Sequence, residues 1–215
     1  MGIGWIFFTV LGFLSGSVMY SYLIPKKVCG IDIRKVSPDS NPGGINVFRE
    51  AGHGIGLTCI ALDVLKAALP VFVAVRFGGI RGIQLLPVTI APVLGHAFSP
   101  FLKFHGGKSI ACAFGALLGL WPVSKMLVLL IISAVFFHFF VIIRPDSLCI
   151  CVSMSFSLLA TLFWEPSLPA RFALLMIVAI VFFKTARNPN RGEYSITIGN
   201  HVFCRKSREN KFRRE

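Results

Sequence analysis

Seven apolar segments separated by polar loops constrain this chain more than any other feature of its sequence. About 20 apolar residues in a helix span the hydrocarbon core of a bilayer. Every backbone polar group there needs an internal partner, so lipid-facing segments are predicted to be helical. We therefore predict an all-α integral membrane protein with seven transmembrane helices, of which the third, fourth and seventh are short for a full span. The segments are Gly2–Ile24, Gly54–Val75, Ile83–Phe98, Ser109–Trp121, Met126–Ile143, Leu148–Phe163 and Arg171–Phe183.

Composition supports a membrane protein and argues against nucleic-acid binding. Hydrophobic residues make up 55% of the chain, which includes 21 Phe, and the mean hydropathy is +0.75. The net charge of +13 is typical of nucleic-acid partners, but the basic residues lie in loops and in the tail. The first apolar segment has no basic residues before it and is long, so it is predicted to be a membrane span rather than a cleaved signal.

The distribution of basic residues predicts the orientation, because cytoplasmic loops carry an excess of Lys and Arg. Seventeen basic residues follow the first, third, fifth and seventh segments, and four follow the others. The N-terminus is therefore predicted to lie outside and the C-terminus in the cytoplasm of a multi-pass cell-membrane protein. Residues 1–191 are predicted to form the membrane domain, and 192–215 a basic cytoplasmic tail.

Four polar stretches are predicted to lie together on the cytoplasmic side. The first is Ser37–Arg49, where prolines and a glycine pair favour turns. Ser40, Asn41 and Asn46 offer hydrogen-bonding groups, and the Arg49 guanidinium suits a phosphate. An ordinary surface loop is the alternative. The second is Asp63 and Lys66 inside an apolar segment, where charged residues are costly and indicate either function or a neutralised structural pair.

The third stretch, Gly95–Ala111, lies between two apolar segments. Gly106 and Gly107 leave backbone N–H groups free to point at an anion, Lys108 adds a cation, and Ser109 begins the next helix. A nucleotide-binding P-loop is excluded, because Leu102 stands where its first glycine is required. His96 is either a base or an interfacial hydrogen-bonding residue.

The fourth stretch, Lys184–Glu193, follows the last segment. Its Arg187, Asn188 and Arg191 are candidates for the same pocket, and the alternative is an anchor for anionic lipid head groups. The six cysteines lack the clustering of a disulfide framework or a zinc site. No metal or cofactor is predicted. Because no motif of a covalent nucleophile occurs, the sequence favours a site that holds anions and positions reactants.

These stretches resemble the bacterial acyl-phosphate:glycerol-3-phosphate acyltransferase family (PlsY), in order, from Gly16 to Asn188. The family pattern GSGNxGATN corresponds to 38–46, DxxKG to 63–67 and HxxNxxR to 185–191. The most specific block, GHxFPxFLxFxGGKG, corresponds to 95–109. The resemblance implies a seven-helix membrane enzyme that transfers an acyl group from acyl phosphate to the 1-hydroxyl of glycerol 3-phosphate, giving lysophosphatidic acid for phospholipid synthesis.

By position, the resemblance implies two groups of site residues. The catalytic candidates are Ser40, Asn41, His96, Lys108 and Asn188. The substrate-binding candidates are Arg49, Asn46, Gly106, Gly107, Ser109 and Arg191.

This chain departs from the family at several of those positions. The serine of GSGN falls on Asp39, and we predict that Asp39 points away while the adjacent Ser40 takes the serine's place. Ser109 replaces a glycine, Thr185 a histidine and Ile150 a pocket serine. The chain therefore resembles a divergent member of the family. Activity on another acceptor, a non-catalytic lipid-binding role, and transport of a phosphorylated solute remain alternatives.

Overall fold

The computed structural model describes residues 3–121, 123–187, 194–198 and 201–206, which form ten α-helices and three strands. Two short 3-10 turns precede and follow α6. The helices are α1 Gly4–Ser17, α2 Tyr20–Val28, α3 Ile33–Val36, α4 Gly44–Glu50, α5 His53–Arg76, α6 Leu85–Ala97, α7 Ile110–Gly119, α8 Met126–Phe139, α9 Asp146–Trp164 and α10 Leu168–Arg187. The strands are β1 Val141–Arg144, β2 Tyr194–Ile198 and β3 His201–Lys206.

Each of the seven predicted segments contains a helix, but the helices differ in length. Five helical stretches within the described residues are long and apolar enough to cross a membrane: Gly4–Val28, His53–Arg76, Gly82–Leu102, Asp146–Trp164 and Leu168–Arg187. By contrast, α7 has 10 residues and α8 has 14. At 1.5 Å per residue they reach only about 15 and 21 Å, against about 30 Å of hydrocarbon.

The first apolar segment is broken between α1 and α2. Val18 is extended and Met19 also leaves the helical region, so the carbonyl groups near the break lack their usual helical partners. Side chains from two other helical segments supply donors. Lys66 Nζ donates to the Val18 carbonyl, and Ser99 Oγ donates to the Ser17 carbonyl at 2.7 Å. The break is thus compatible with an apolar surrounding.

Helices α1 and α6 pack with their backbones in close contact, and glycines make this possible. A Cβ at Gly16 would overlap the Pro92 carbonyl oxygen, and one at Gly95 would overlap the Phe13 carbonyl oxygen. Small residues at such contacts are typical of helix association in membranes. The main core lies between α5, α7 and α10 and includes the fully buried Val71, Leu117 and Leu174.

A small antiparallel sheet, ordered β1-β2-β3, departs from the all-α prediction. The fifth predicted segment extends to Ile143, but its helix ends at Phe139 and the chain continues as β1. Val141 pairs with Ile198, and Arg144 pairs with Ser195. The strand is hidden in the sequence because Val141, Ile142 and Ile143 are as apolar as the helix before them.

The close approach of α1 and α6 gives a prediction about stability. Gly16→Ala should lower the free energy of unfolding by about 1–3 kcal/mol, because the new methyl group meets backbone rather than a movable side chain. Thermal unfolding of the purified protein in detergent measures the change. Gly4→Ala in the same helix is the matched control, since a Cβ there meets nothing within 4 Å. Equal melting temperatures for the two variants would contradict the packing described.

Candidate active site

A cavity of about 780 Å³ is bounded by α4, α5, α7, α8 and α9 and by the loops that join them. One end is polar and the remaining wall is apolar. The polar end includes the side chains of Asp39, Asn41, Asn46, Arg49, Asp63, His96 and Lys108. The apolar wall includes Ile110, Phe114, Leu118, Leu127, Ile131 and Val135. The first three predicted polar stretches therefore meet in one place.

Asp39 lies at the centre of the polar end. Its Oδ2 accepts a hydrogen bond from Lys108 Nζ at 2.7 Å, and both side chains are only 5% exposed. Its Oδ1 accepts from Asn46 Nδ2 at 2.8 Å and from the Asn41 backbone N–H at 3.2 Å. A carboxylate in this position joins the first polar loop to the glycine loop through a charged pair.

The prediction that Asp39 points away and Ser40 takes the place of the family serine is wrong about which of the two residues lies in the cavity. Ser40 is exposed, has a φ of +52° and is not among the residues that line the cavity. Asp39, not Ser40, faces Lys108. The physical reason is that the carboxylate finds three donors in the cavity, so a one-residue shift of the loop would remove all of them.

Asn41 and Asn46 hold the loop that carries Asp39. The Asn41 Oδ1 accepts from the Lys108 backbone N–H at 3.1 Å, and the Asn41 carbonyl accepts from Asn46 Nδ2 at 2.8 Å. Both asparagines are buried. Their side chains are thus engaged in positioning Lys108 and Asp39 relative to each other.

The glycines of the Gly-Gly-Lys loop allow a close approach to His96. A Cβ at Gly106 would overlap the His96 carbonyl oxygen, and one at Gly107 would overlap the ring nitrogen Nε2. The Gly107 N–H donates to the His96 carbonyl at 3.1 Å. The N–H groups of Gly107 and Lys108 therefore have protein acceptors, which differs from the prediction that the glycine loop directs free N–H groups at a phosphate.

Ser109 continues this loop in the left-handed conformation that the family glycine would adopt without strain. Its φ is +61°, and its buried Oγ donates to the Val93 carbonyl at 3.0 Å. The hydrogen bond offsets part of the cost of a left-handed non-glycine residue, which is of order 1 kcal/mol or more. The departure at Ser109 thus preserves the backbone path into α7.

The second polar stretch forms a buried ion pair beneath the cavity. Lys66 Nζ lies 2.7 Å from Asp63 Oδ1, and the two side chains are almost fully buried. Ser21 Oγ donates to Asp63 Oδ2 at 2.5 Å. His96 Nδ1 lies 3.9 Å from Asp63 Oδ1 and has no hydrogen-bond partner among the described residues. The pair therefore supports the backbone break between α1 and α2, and it also borders the cavity.

A second ion pair lies at the rim of the cavity. Arg49 Nη2 contacts Asp146 Oδ2 at 2.6 Å, and Arg144 Nη1 contacts Asp146 Oδ1 at 2.7 Å. Arg49 is about half exposed, in contrast to Lys108. Sequence reasoning did not select Asp146, because its contact with Arg49 joins two residues that are 97 positions apart in the sequence.

The fourth polar stretch is only partly described. Asn188 and Arg191 lie outside the described residues. Lys184 is buried, with Nζ 5.2 Å from the centroid of the Phe98 ring, and it was not selected from the sequence as a site residue. Thr185, at the family histidine position, has a buried hydroxyl without a partner among the described residues. Ile150 lines the cavity, as its alignment with a pocket serine predicts.

The apolar wall opens towards the outer surface of the helix bundle. Leu118, Ile131 and Val135 line the cavity and are also 42%, 45% and 47% exposed. The apolar part of the cavity is therefore open to the surface of the helix bundle.

The fold and the cavity define an integral membrane protein whose cavity is polar at one end and apolar along the remaining wall. A sequence profile described as glycerol-3-phosphate acyltransferase matches residues 6–192. The chain belongs to the glycerol-3-phosphate acyltransferase family, which confirms the family predicted from its residues.

Relatives and solved structures agree with this assignment. The chain is 44% identical over 127 residues to glycerol-3-phosphate acyltransferase 2 of Thermotoga maritima, covering 59% of this chain and 64% of that protein. It is 34% identical over 180 residues to the glycerol-3-phosphate acyltransferase of a Wolbachia species, covering 83% and 90%. The match to the Thermotoga protein thus spans less than two thirds of that relative's length, whereas the Wolbachia match is nearly complete.

The fold is similar to crystal structures of PlsY, an integral membrane glycerol 3-phosphate acyltransferase. Its glycerol 3-phosphate form superposes with a TM-score of 0.76 at 28% identity, covering 87% of this chain and 90% of that one. Its lysophosphatidic acid form gives 0.74 at 26% identity, with the same coverage. The shared architecture therefore covers most of both chains.

The buried Asp63–Lys66 pair gives a second stability prediction. Lys66→Met should destabilise the protein by about 3–5 kcal/mol, because it leaves the Asp63 carboxylate buried without its cation and the Val18 carbonyl without its donor. The double variant Asp63→Asn/Lys66→Met should recover part of that loss. Thermal unfolding measures both, with the exposed Lys125→Met as control. A double variant no more stable than the single one would indicate that the carbonyl contact, not the charge pair, dominates.

Proposed function

We propose that this chain transfers a fatty acyl group from acyl phosphate to the 1-hydroxyl of glycerol 3-phosphate, as a step of phospholipid synthesis. The observation that carries the proposal is the cavity itself, with buried cationic and amide groups at one end and an apolar wall open to the bilayer. An acyl phosphate has the same division, since its phosphate is anionic and its chain is apolar. So does the proposed product, lysophosphatidic acid.

The proposed reaction requires no covalent intermediate on the protein. The glycerol 3-phosphate hydroxyl attacks the acyl carbonyl carbon, a new ester C–O bond forms, and the C–O bond to the donor phosphate breaks. The hydroxyl proton is released to the departing inorganic phosphate or to water. Because the acyl phosphate has a good leaving group, the site's main contribution is to hold the two anionic substrates in contact.

Each site residue has a proposed role. Lys108 and Arg49 contact phosphate oxygens, since charge-assisted contacts of this kind are strong and Arg can bind in a bidentate manner. Asn41 and Asn46 position the loop that carries Lys108. His96 supports the glycine loop through its carbonyl and its ring, and its Nδ1, which has no hydrogen-bond partner in the described part of the chain, lies near Asp63. Gly106, Gly107 and Ser109 shape that loop, and Asn188 and Arg191 are carried over from the family resemblance.

We also propose that the chain crosses the membrane seven times, with the N-terminus outside and the site on the cytoplasmic side. Residues 1–191 then form the membrane domain, and 192–215 form a basic cytoplasmic segment whose strands β2 and β3 continue the sheet that β1 begins. The proposal is supported by the charge distribution and by the meeting of the first, third and fifth loops at one cavity. The short α7 and α8 require local thinning of the bilayer or irregular extensions.

The activity is tested directly with purified protein in detergent, palmitoyl phosphate and glycerol 3-phosphate. Lysophosphatidic acid and inorganic phosphate should appear in equal amounts, and palmitoyl-CoA should not replace the acyl phosphate. A non-catalytic relative remains the competing proposal, because Asp39 already neutralises Lys108. Binding of both substrates without product would favour that alternative.

Lys108→Ala should lower kcat/KM by about 10- to 150-fold, since it removes a charge-assisted contact worth roughly 1.5–3 kcal/mol. Steady-state kinetics with each substrate varied measures the loss. Lys103→Ala is the matched control, because Lys103 is an exposed lysine of the same loop that does not line the cavity. Unchanged kinetics in folded Lys108→Ala protein would mean that the loop is only a structural turn.

The orientation is tested by cysteine labelling in intact cells, in a Cys29→Ser background that removes an exposed native thiol. Lys103→Cys should react with a membrane-impermeant maleimide only after the cells are opened, whereas Lys125→Cys should react from outside. Both side chains are exposed, so access to the label does not depend on opening of the cavity. The reverse pattern would overturn the proposed orientation.

A further inference from the structure

Both cations proposed to bind phosphate are already paired with carboxylates from this chain. Lys108 contacts Asp39 at 2.7 Å and Arg49 contacts Asp146 at 2.6 Å. We infer that Asp39 and Asp146 are specificity-determining residues that compete with phosphate oxygens for Lys108 and Arg49. They weaken the binding of inorganic phosphate and of phosphate monoesters at this site. The inference rests on the proposed function for its effect on turnover, but its effect on phosphate binding stands alone.

Asp39 is well placed to act as an internal competitor. Its Oδ2 occupies a position at Lys108 Nζ that a phosphate oxygen would otherwise take. The carboxylate is held there by Asn46 and by the Asn41 backbone N–H, so it cannot turn away without losing both hydrogen bonds. A phosphate entering the polar end must therefore displace a buried charge-assisted contact or bind beside a carboxylate that repels it.

Asp146 makes a weaker and more accessible contact at the rim. Its carboxylate is shared between Arg49 and Arg144, and all three side chains are well exposed. Exposed ion pairs contribute little and are screened by salt. Arg49 is therefore released to a phosphate more easily than Lys108 is. Asp146 should accordingly weaken phosphate binding less than Asp39 does.

The charged residues that line the cavity support the inference that both carboxylates weaken phosphate binding. Among the described lining residues, Asp39, Asp63 and Asp146 are acidic, and Arg49 and Lys108 are basic. Asp63 is neutralised by Lys66 behind the wall, which leaves two carboxylates against the two lining cations, and Arg144 contacts Asp146 from outside the lining. A site that holds phosphate monoesters usually presents an excess of donors and positive charge. Asp39 and Asp146 reduce that excess in the described part of this site.

The test uses inorganic phosphate as the probe and needs no turnover. Its dissociation constant is measured by isothermal titration calorimetry on the purified full chain and on the variants Asp39→Asn, Asp39→Ser and Asp146→Asn. The asparagine keeps the acceptor for Asn46 and the Asn41 N–H, and the serine restores the hydroxyl of the family. Asp32→Asn is the matched control, because Asp32 also pairs with an arginine, Arg34, but does not line the cavity.

Both Asp39 variants should bind phosphate about tenfold or more tightly than the unaltered chain, and Asp146→Asn about two- to fivefold. Asp32→Asn should bind as the unaltered chain does. Thermal unfolding identifies a variant that has lost its fold, and the two Asp39 variants provide independent routes to the measurement. Unchanged or weaker binding in folded Asp39 variants, or equal tightening in Asp32→Asn, would overturn the inference.

Turnover assays separate this inference from the proposed function. If the unaltered chain makes lysophosphatidic acid, the Asp39 variants should lower the KM for a phosphorylated substrate. If no variant makes product but phosphate binding tightens as described, the proposed function fails and the inference stands. If product forms but phosphate binding is insensitive to Asp39, the inference fails and the proposed function stands.

Discussion

The fold depends on how the backbone carbonyls at the break in the first membrane segment are satisfied. A helix interrupted inside hydrocarbon exposes polar groups that water cannot reach, and each unsatisfied group costs several kcal/mol. Lys66 and Ser99 supply the donors, from α5 and from the turn after α6. Lys66 in turn requires Asp63, and Asp63 borders His96 and the cavity. A local backbone irregularity therefore connects three helical segments and sets the floor of the site.

The same principle governs the polar end of the cavity, where nearly every buried group has a partner from a distant loop. Asp39 and Asn41 of the first loop hold Lys108 of the third loop, Asn46 of α4 holds Asp39, and Arg49 contacts Asp146 after β1. These contacts between residues far apart in sequence give the loops a defined arrangement without a ligand. They also mean that a substrate that binds Lys108 or Arg49 must replace an existing contact with Asp39 or Asp146 rather than simply add one.

The positions of the helices follow from hydropathy, because a bilayer leaves apolar segments few alternatives to a helix. The convergence of the polar loops follows from the loop charges and the resemblance to the family. The orientation of Asp39 does not follow from the sequence. Pro38 and Pro42 are compatible with a loop that places either Asp39 or Ser40 in the cavity, and only the hydrogen-bond donors around the carboxylate favour Asp39. Strand β1 is hidden for a different reason, since Val141, Ile142 and Ile143 continue the apolar pattern of α8. The places of Asp146 and Lys184 at the site could not be predicted, because they depend on contacts with residues that are distant in the sequence.

The lateral opening lined by Leu118, Ile131 and Val135 determines which concentration of an amphiphilic substrate governs its binding. An amphiphile that enters through this side comes from the bilayer or the detergent micelle, not from bulk water. Its effective concentration is therefore its mole fraction in that phase. Diluting the protein and substrate with inert lipid should slow their encounter even when the total substrate in the sample is constant. Half-saturation values from different detergents are then comparable only after conversion to surface concentration.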